Sequence, residues 1–521
     1  VMSTNVQTKD DVPIEVTFRN IVDEHAKVLK DAPWTLSLRS DESVSFSQLQ
    51  ERVDEWQLAS PSMGLERGDR VGLLIFDPLV LAATFVALIC SGIWVAPLDP
   101  NVLYASGPKL DDKARTLDLR CIVSDRSAPE SVESAWIDLT AGPLAVVGEF
   151  LQGHHRQGPD GGVILATSGT SGTPKVTALP SAQLLCAAQL VATHNGLTAL
   201  DRGFNPLPLW HINAEVVAVL ASLVAGVSLV LDEGFHRSDF WSLVDRREVT
   251  WINAVPAIIS RLVELRPGES VPARIRFIRS ASAPLSATVL DEFEHATGIN
   301  VVESYGMTEA ASQICANPVD GVRKGGSVGP AIGVEVRVTP SSDSADGGTS
   351  HEGVGGVEIR GPSVIQDYES PGFEDRFDAQ GWLKTGDLGY LDQDGYLFLV
   401  GRSDDVINRS GEKIFPREIE DVILGVSGVD FAAVIGEPDE TFGQVPVAYA
   451  QLEGVSSSTP EKKIESLVAE IEQALATSIS RTRQPARLLV VETMPIHATG
   501  KVQKNLLRAG ALRVLYEKKL S

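Results

Sequence analysis

From Val71 to about Leu231, short runs of Val, Ile and Leu (VGLLIF, IWVAPL, CIVSD, GVILATS and VSLVLDE) alternate with segments of helical length. Runs that are apolar throughout suit strands buried on both faces, and helix-length spacers predict parallel strands joined by helical crossovers. A second round follows at VTWINAVP, ARIRFIRS and INVVESYG. Between Pro340 and Gly356 lies a Ser/Asp/Gly-rich loop, after which GVEIRG and the turn-rich GYLDQDGYLFLVGR predict an antiparallel, barrel-like portion. Beyond Gly401 the pattern changes to EIEDVIL as a helix, DFAAVIG and VPVAYAQL as strands, a polar linker, a helix from about Lys462 and the strand ARLLVV. The expected architecture is α/β: a large domain, 1–401, of doubly wound sheets plus the barrel-like portion, then a small α+β domain, 402–521. SDD at Ser403–Asp405 is the expected junction. No internal repeat is visible.

One apolar run competes for a different reading. Leu79 to Leu98 is nearly uncharged and about as long as a membrane span. Ser91 and Gly92 interrupt it and Pro97 ends it, so strand, buried helix and strand is the expectation.

Charge narrows the partners. A formal net charge of -24 over 521 residues disfavours nucleic acid and anionic membranes, so any phosphate must be held by local donors. Cys90, Cys121, Cys186 and Cys315 are far apart, form no CxxC pair and read as reduced buried thiols. The first thirty residues are polar and acidic, without the apolar core of a secretory signal, and a cytoplasmic location is expected.

The strongest chemical signal is TSGTSGTPK, Thr167–Lys175, directly after the apolar run GVILA. Hydroxyls, glycines and a lysine on a strand-end loop suit a polyphosphate, because the backbone N–H groups approach closely and the lysine neutralises. A Walker loop needs GK[ST], whereas proline precedes Lys175 and Val176 follows it.

With PLWH (208–211), ESYGMTEA (303–310), GWLKTGDLGY (381–390), GRSDDVINRSGEKIFPREIE (401–420) and ATGKVQK (498–504), this string makes six motifs in order. Together they resemble the adenylate-forming superfamily of acyl-CoA synthetases, luciferases and nonribosomal adenylation domains, collinear from about Gly68 to Lys504. The resemblance implies ATP, Mg²⁺ and a small carboxylic acid, an acyl-adenylate, and then a thioester with coenzyme A; a carrier protein or an amine is the alternative acceptor. Such an acid has a pKa of about 4 and is already ionised, so positioned cations rather than a general base are required.

By the same resemblance Ser168, Thr170, Ser171 and Lys175, with Thr167 and Gly169 in the loop, hold the β- and γ-phosphates. Thr308 donates to the α-phosphate and Glu309 binds Mg²⁺. Tyr305 stacks on adenine beside Gly306, with the Ser282 and Ala283 backbone opposite. Asp387 and Arg402 hold the ribose. Lys501 bridges carboxylate and α-phosphate, and Asp404 is the hinge about which the small domain turns, exchanging Lys501 for the Gly411 loop. Arg481, Arg483 and Arg487 are candidates for the coenzyme A phosphates.

His211 gates the acid pocket, whose expected wall is Trp210, His211, Ile212, Asn213, Ser280, Ser304 and Ser312. Trp210 stands where the family commonly has phenylalanine. The closest motif match is to oxalate:CoA ligases, yet Ser312 replaces a histidine that helps hold oxalate's second carboxylate there. With no charged side chain in this wall, the expected substrate is a small or aromatic monocarboxylate.

Overall fold

The computed structural model describes residues 16–150, 161–167, 175–340, 353–496, 500–510 and 512–520. Its first sheet has seven strands, in the order Val146–Val147, Trp136–Asp138, Cys121–Ser124, Arg70–Leu73, Trp94–Pro97, Gly162–Thr167 and Lys175–Pro180. The second has eight: Cys315–Ala316, Asn300–Tyr305, Phe277–Ser280, Trp251–Ala254, Arg202–Asn205, Ser228–Leu231, Pro33–Ser37 and Ser43–Ser45. Central neighbours in both are parallel, as the unbroken apolar runs require.

The Leu79–Leu98 run is a buried helix, Pro78–Cys90, followed by the strand Trp94–Pro97. Asp77 caps the helix by accepting from the N–H groups of Leu79 at 2.7 Å and Val80 at 3.0 Å, and Pro78 occupies the first turn where no donor is needed. Among the described residues no helix is long and apolar enough to cross a membrane. Trp34, Trp56, Trp241 and the sheet residues pack into the same core, each large side chain contributing about 1.5–3 kcal/mol by burial.

The antiparallel portion is a four-stranded sheet, Glu335–Thr339, Gly355–Arg360, Leu383–Leu391 and Leu397–Arg402. Beyond it, a six-stranded sheet around Gly443–Leu452 forms a separate core with the helix Glu461–Ser478. That helix buries Ile464, Val468, Ile471 and Leu475, one face of a 3.6-residue period. A bridging cluster of Val354, Leu388 and Phe415, with an Arg417 hydrogen bond of 2.8 Å to the Leu399 carbonyl, joins this core to the antiparallel sheet.

Candidate active site

Strand Asn300–Tyr305 ends at Tyr305, and the chain then folds back through the short helical turn Thr308–Ala310. Ala311 (φ 46°) and Ser312 (φ 75°) are left-handed without being glycine, as is Ser282 (φ 73°) in the neighbouring loop. Backbone strain of this kind persists where the surroundings impose it, and it clusters at functional sites. Gly306 is required by close approach: a Cβ there would lie 1.6 Å from the Ser312 carbonyl oxygen.

The turn presents Glu309, whose Oε1 accepts from the Tyr368 hydroxyl at 2.8 Å, while its own carbonyl accepts from the Ile365 N–H at 2.8 Å. The Tyr305 hydroxyl donates to Asp387 Oδ2. Arg402 Nη1 lies 3.4 Å from Asp387 Oδ1, and its Nε 3.0 Å from Asp404 Oδ1, so Arg402 bridges two carboxylates.

Lys175 opens the strand after the phosphate-loop motif, its Nζ 4.9 Å from the Phe373 ring centroid and 5.6 Å from that of Tyr368. Burial pushes its ammonium below the ordinary lysine pKa; Arg376 and Arg402 push the same way, against Glu309 and Asp404. Lys501 arrives from the C-terminal part, where a Cβ on the preceding Gly500 would lie 3.6 Å from Val255. Lys501 keeps surface open to solvent, yet surrounding protein pushes its pKa down, opposed by Asp387 and Glu309 and reinforced by Arg402. Both lysines therefore feel Glu309 and Arg402, from opposite ends of the chain.

Other expected residues are placed less tightly. Ser168, Gly169, Thr170 and Ser171 lie outside the described residues, and Thr167 is the last residue of its strand. Gly411 has φ 92° and open space around its α-carbon, and its N–H donates to Asn408 Oδ1 at 2.9 Å, so the turn itself requires glycine. Arg483 pairs with Glu418, and Arg487 with Glu437 and Glu517, which commits both to the C-terminal sheet's own charges; Arg481 is exposed.

Of the residues expected to line an acid pocket, Trp210 and His211 sit with ring centroids 6.4 Å apart, and Ile212 is buried. They precede a π-helix, Asn213–Leu220, of the kind that often marks functional sites. Asn213 Oδ1 accepts from Asn253 Nδ2 at 2.8 Å, and Asn253 also donates to Asn205 at 2.9 Å. Ser304 donates to the Ser280 carbonyl at 3.1 Å. The expected wall needs two corrections. Ser280 is in register with Glu303, whereas Ser304 follows Val302 on the face it shares with Arg279, so the two serine side chains point to opposite sides of the sheet. Furthermore, the region is not free of charge: Arg279 is buried on that face and donates to Gln313, next to Ser312.

Burial, then the Arg279 charge, push the His194 imidazole down to about 4, against a bond to the Asn317 carbonyl. Its folded pKa is thus below the unfolded value of about 6.5. The unfolded chain takes up the proton first, and stability falls as pH drops from about 6.5 towards 4. His194→Gln should flatten that decline in a series of thermal melts between pH 7 and 4.5, relative to the parent.

The AMP-binding enzyme family matches residues 22–369, and the AMP-binding enzyme C-terminal domain matches 418–501. The chain belongs to the AMP-binding enzyme family. Among curated proteins, this AMP-binding enzyme is 32% identical over 493 residues to a sulfoacetate–CoA ligase of Cupriavidus necator, covering 91% of this chain and 94% of the relative. It is 33% identical over 360 residues to an oxalate–CoA ligase of Arabidopsis thaliana, 67% of each chain. Among solved structures, an o-succinylbenzoate CoA synthetase of Bacillus subtilis in complex with its acyl-adenylate superposes with a TM-score of 0.76. That match has 26% identity and covers 94% of this chain and 98% of the other.

Tyr368, Phe373 and Arg376 were not legible as site residues in a turn-rich stretch. Arg376 flanks Gly386 beside Arg402, with Nη2 bonded to the Thr385 carbonyl at 3.0 Å.

Proposed function

We propose that this enzyme is an ATP-dependent, AMP-forming acid–CoA ligase with two domains, 1–401 and 402–521, the second carrying Lys501 into and out of the site. The supporting observation is the convergence of Lys175, Lys501, Glu309, Asp387 and Arg402, drawn from both ends of the chain, in one corner. Attack of a carboxylate oxygen on the α-phosphorus of ATP displaces pyrophosphate, and the developing charge needs fixed cations and donors in a partly dry site.

The residues present fit the cosubstrates. Glu309, a buried carboxylate aimed at the cationic corner, would hold Mg²⁺, which neutralises phosphate charge. Tyr305 and Asp387, already joined, would meet adenine and ribose, and Thr308 the α-phosphate. Lys501 would hold the carboxylate against the phosphorus. In the second step the coenzyme A thiol attacks the acyl-adenylate carbonyl, a thioester forms, and AMP leaves with the bonding electron pair. His211 would gate the acid and Gly411 would face the pantetheine arm. Small acids suit a pocket lined by the polar side chains of Asn213 and Ser304. The four free cysteines accord with a cytoplasmic place of action.

The decisive assay is acid-dependent pyrophosphate release with and without coenzyme A across an acid panel. A product that forms equally well without a thiol would move the assignment to a different acceptor. The hinge reading has its own test, because proline fixes φ near -65°. Asp404→Pro should cut thioester formation by about 10²-fold, far more than ATP–pyrophosphate exchange. Normal rates in both half-reactions would place the hinge elsewhere.

A further inference from the structure

Arg279 is 1% exposed in the strand Phe277–Ser280, between two neighbouring strands of the eight-stranded sheet. Gln313 Oε1 accepts from its Nη2, while among the described residues Nε and Nη1 have no hydrogen-bond partner. Burial lowers its pKa to about 10, so the guanidinium is charged at neutral pH. A buried charge with no counter-ion among the described residues is a standing cost to the fold, of the kind retained where a ligand supplies the missing partner.

The location points to the acid. In the parallel register Arg279 stands beside Asn253 and Val302, and so on the face that carries Asn205 and Ser304. Asn253 holds Asn213 of the π-helix that packs over this face directly after His211. These residues lie towards the carboxyl ends of their strands, where open α/β sheets take ligands. Gln313 lies just beyond the loop that carries Thr308 and Glu309, so one short segment links the guanidinium to the ATP corner. The buried ionisable group on the covering helix, Glu215, is no counter-ion: among the described residues neither carboxyl oxygen has a hydrogen-bond partner, and burial raises its pKa well above the ordinary range, favouring the neutral form.

We propose that Arg279 binds the second anionic group, carboxylate or sulfonate, of a small dianionic acid whose first carboxylate is the one activated. This deepens the acid-ligase reading and rests on it. Arg279 is then a specificity residue, and the monocarboxylate preference expected from the uncharged wall is reversed. A guanidinium suits the task because it stays charged when dry and offers several fixed donors to a planar or tetrahedral oxyanion.

The test uses the full chain with ATP, Mg²⁺ and coenzyme A, reading pyrophosphate release and thioester formation. Oxalate, malonate and sulfoacetate are each compared with a neutral-ended analogue: the monomethyl esters for the dicarboxylates and methylsulfonylacetate for the sulfonate. The unaltered enzyme should favour at least one dianion by about 10²-fold or more in kcat/KM. Which dianion leads separates carboxylate from sulfonate recognition. Arg279→Leu should lose that preference, bringing kcat/KM for the dianion and its neutral-ended analogue to within about threefold of each other, and its Tm should be equal or higher. Arg279→Lys should restore part of the preference, and Arg279→Gln gives the same readout as leucine if the leucine variant does not fold. Acids activated with no preference for a dianion, or a preference that survives Arg279→Leu, would overturn the proposal while leaving the ligase reading intact. No pyrophosphate release with any acid would remove the ligase reading and the proposal together.

Discussion

Lys501→Ala should lose about 10²–10³-fold in ATP–pyrophosphate exchange while converting supplied acyl-adenylate to thioester at a rate within about threefold of the parent. Lys501 shares Glu309, Asp387 and Arg402 as electrostatic neighbours with the nucleotide corner, and its pKa already reflects enclosure there. In the role proposed for it, its charge is useful while negative charge builds between carboxylate and phosphorus, and it has no task once the adenylate exists. Single-turnover measurements of each half-reaction check this; equal losses in both would mean that the lysine supports folding or nucleotide binding in general.

Gly306→Ala should be nearly as damaging, and in both half-reactions. The added Cβ would meet the Ser312 carbonyl oxygen at 1.6 Å, backbone against backbone, so the loop bearing Thr308 and Glu309 must move. A displacement of about 1 Å in a positioning loop costs about 10²-fold in rate. Helices and sheet cores lie outside the clash, so the far-ultraviolet circular dichroism spectrum should be unchanged. Parent-like rates would show that the loop relaxes freely, and that its left-handed Ala311 and Ser312 carry no constraint.

Much of this architecture is written locally. The runs VGLLIF, CIVSD and VTWINAVP fall at strands because only doubly covered strands tolerate such continuous apolarity. Asp77 and Pro78 mark a helix start chemically, which separates Pro78–Cys90 from a membrane span. The π-helix at Asn213–Leu220 is invisible to that reasoning, because its extra residue per turn is imposed by packing between sheet and helix. Arg376 gave no signal either; its neighbours Tyr368 and Lys175 are assembled by tertiary structure. Arg279 did leave a trace: a charged residue inside ARIRFIRS violates the apolar rule for a covered strand. The binding role proposed for Arg279 would give that violation a chemical reason.

On the proposed reading of Asp387 as the ribose site and Asp404 as the hinge, the double grip of Arg402, on Asp387 with one nitrogen and on Asp404 with another, ties the nucleotide's sugar to the joint between the two parts of the chain. A ribose drawing on the Asp387 oxygens competes for one of those grips, so nucleotide occupancy and inter-part geometry are linked variables. By linkage, whatever favours one rotation must favour the nucleotide state that goes with it, and to the same degree. On that reading Arg402 would act as an interlock between nucleotide state and rotation.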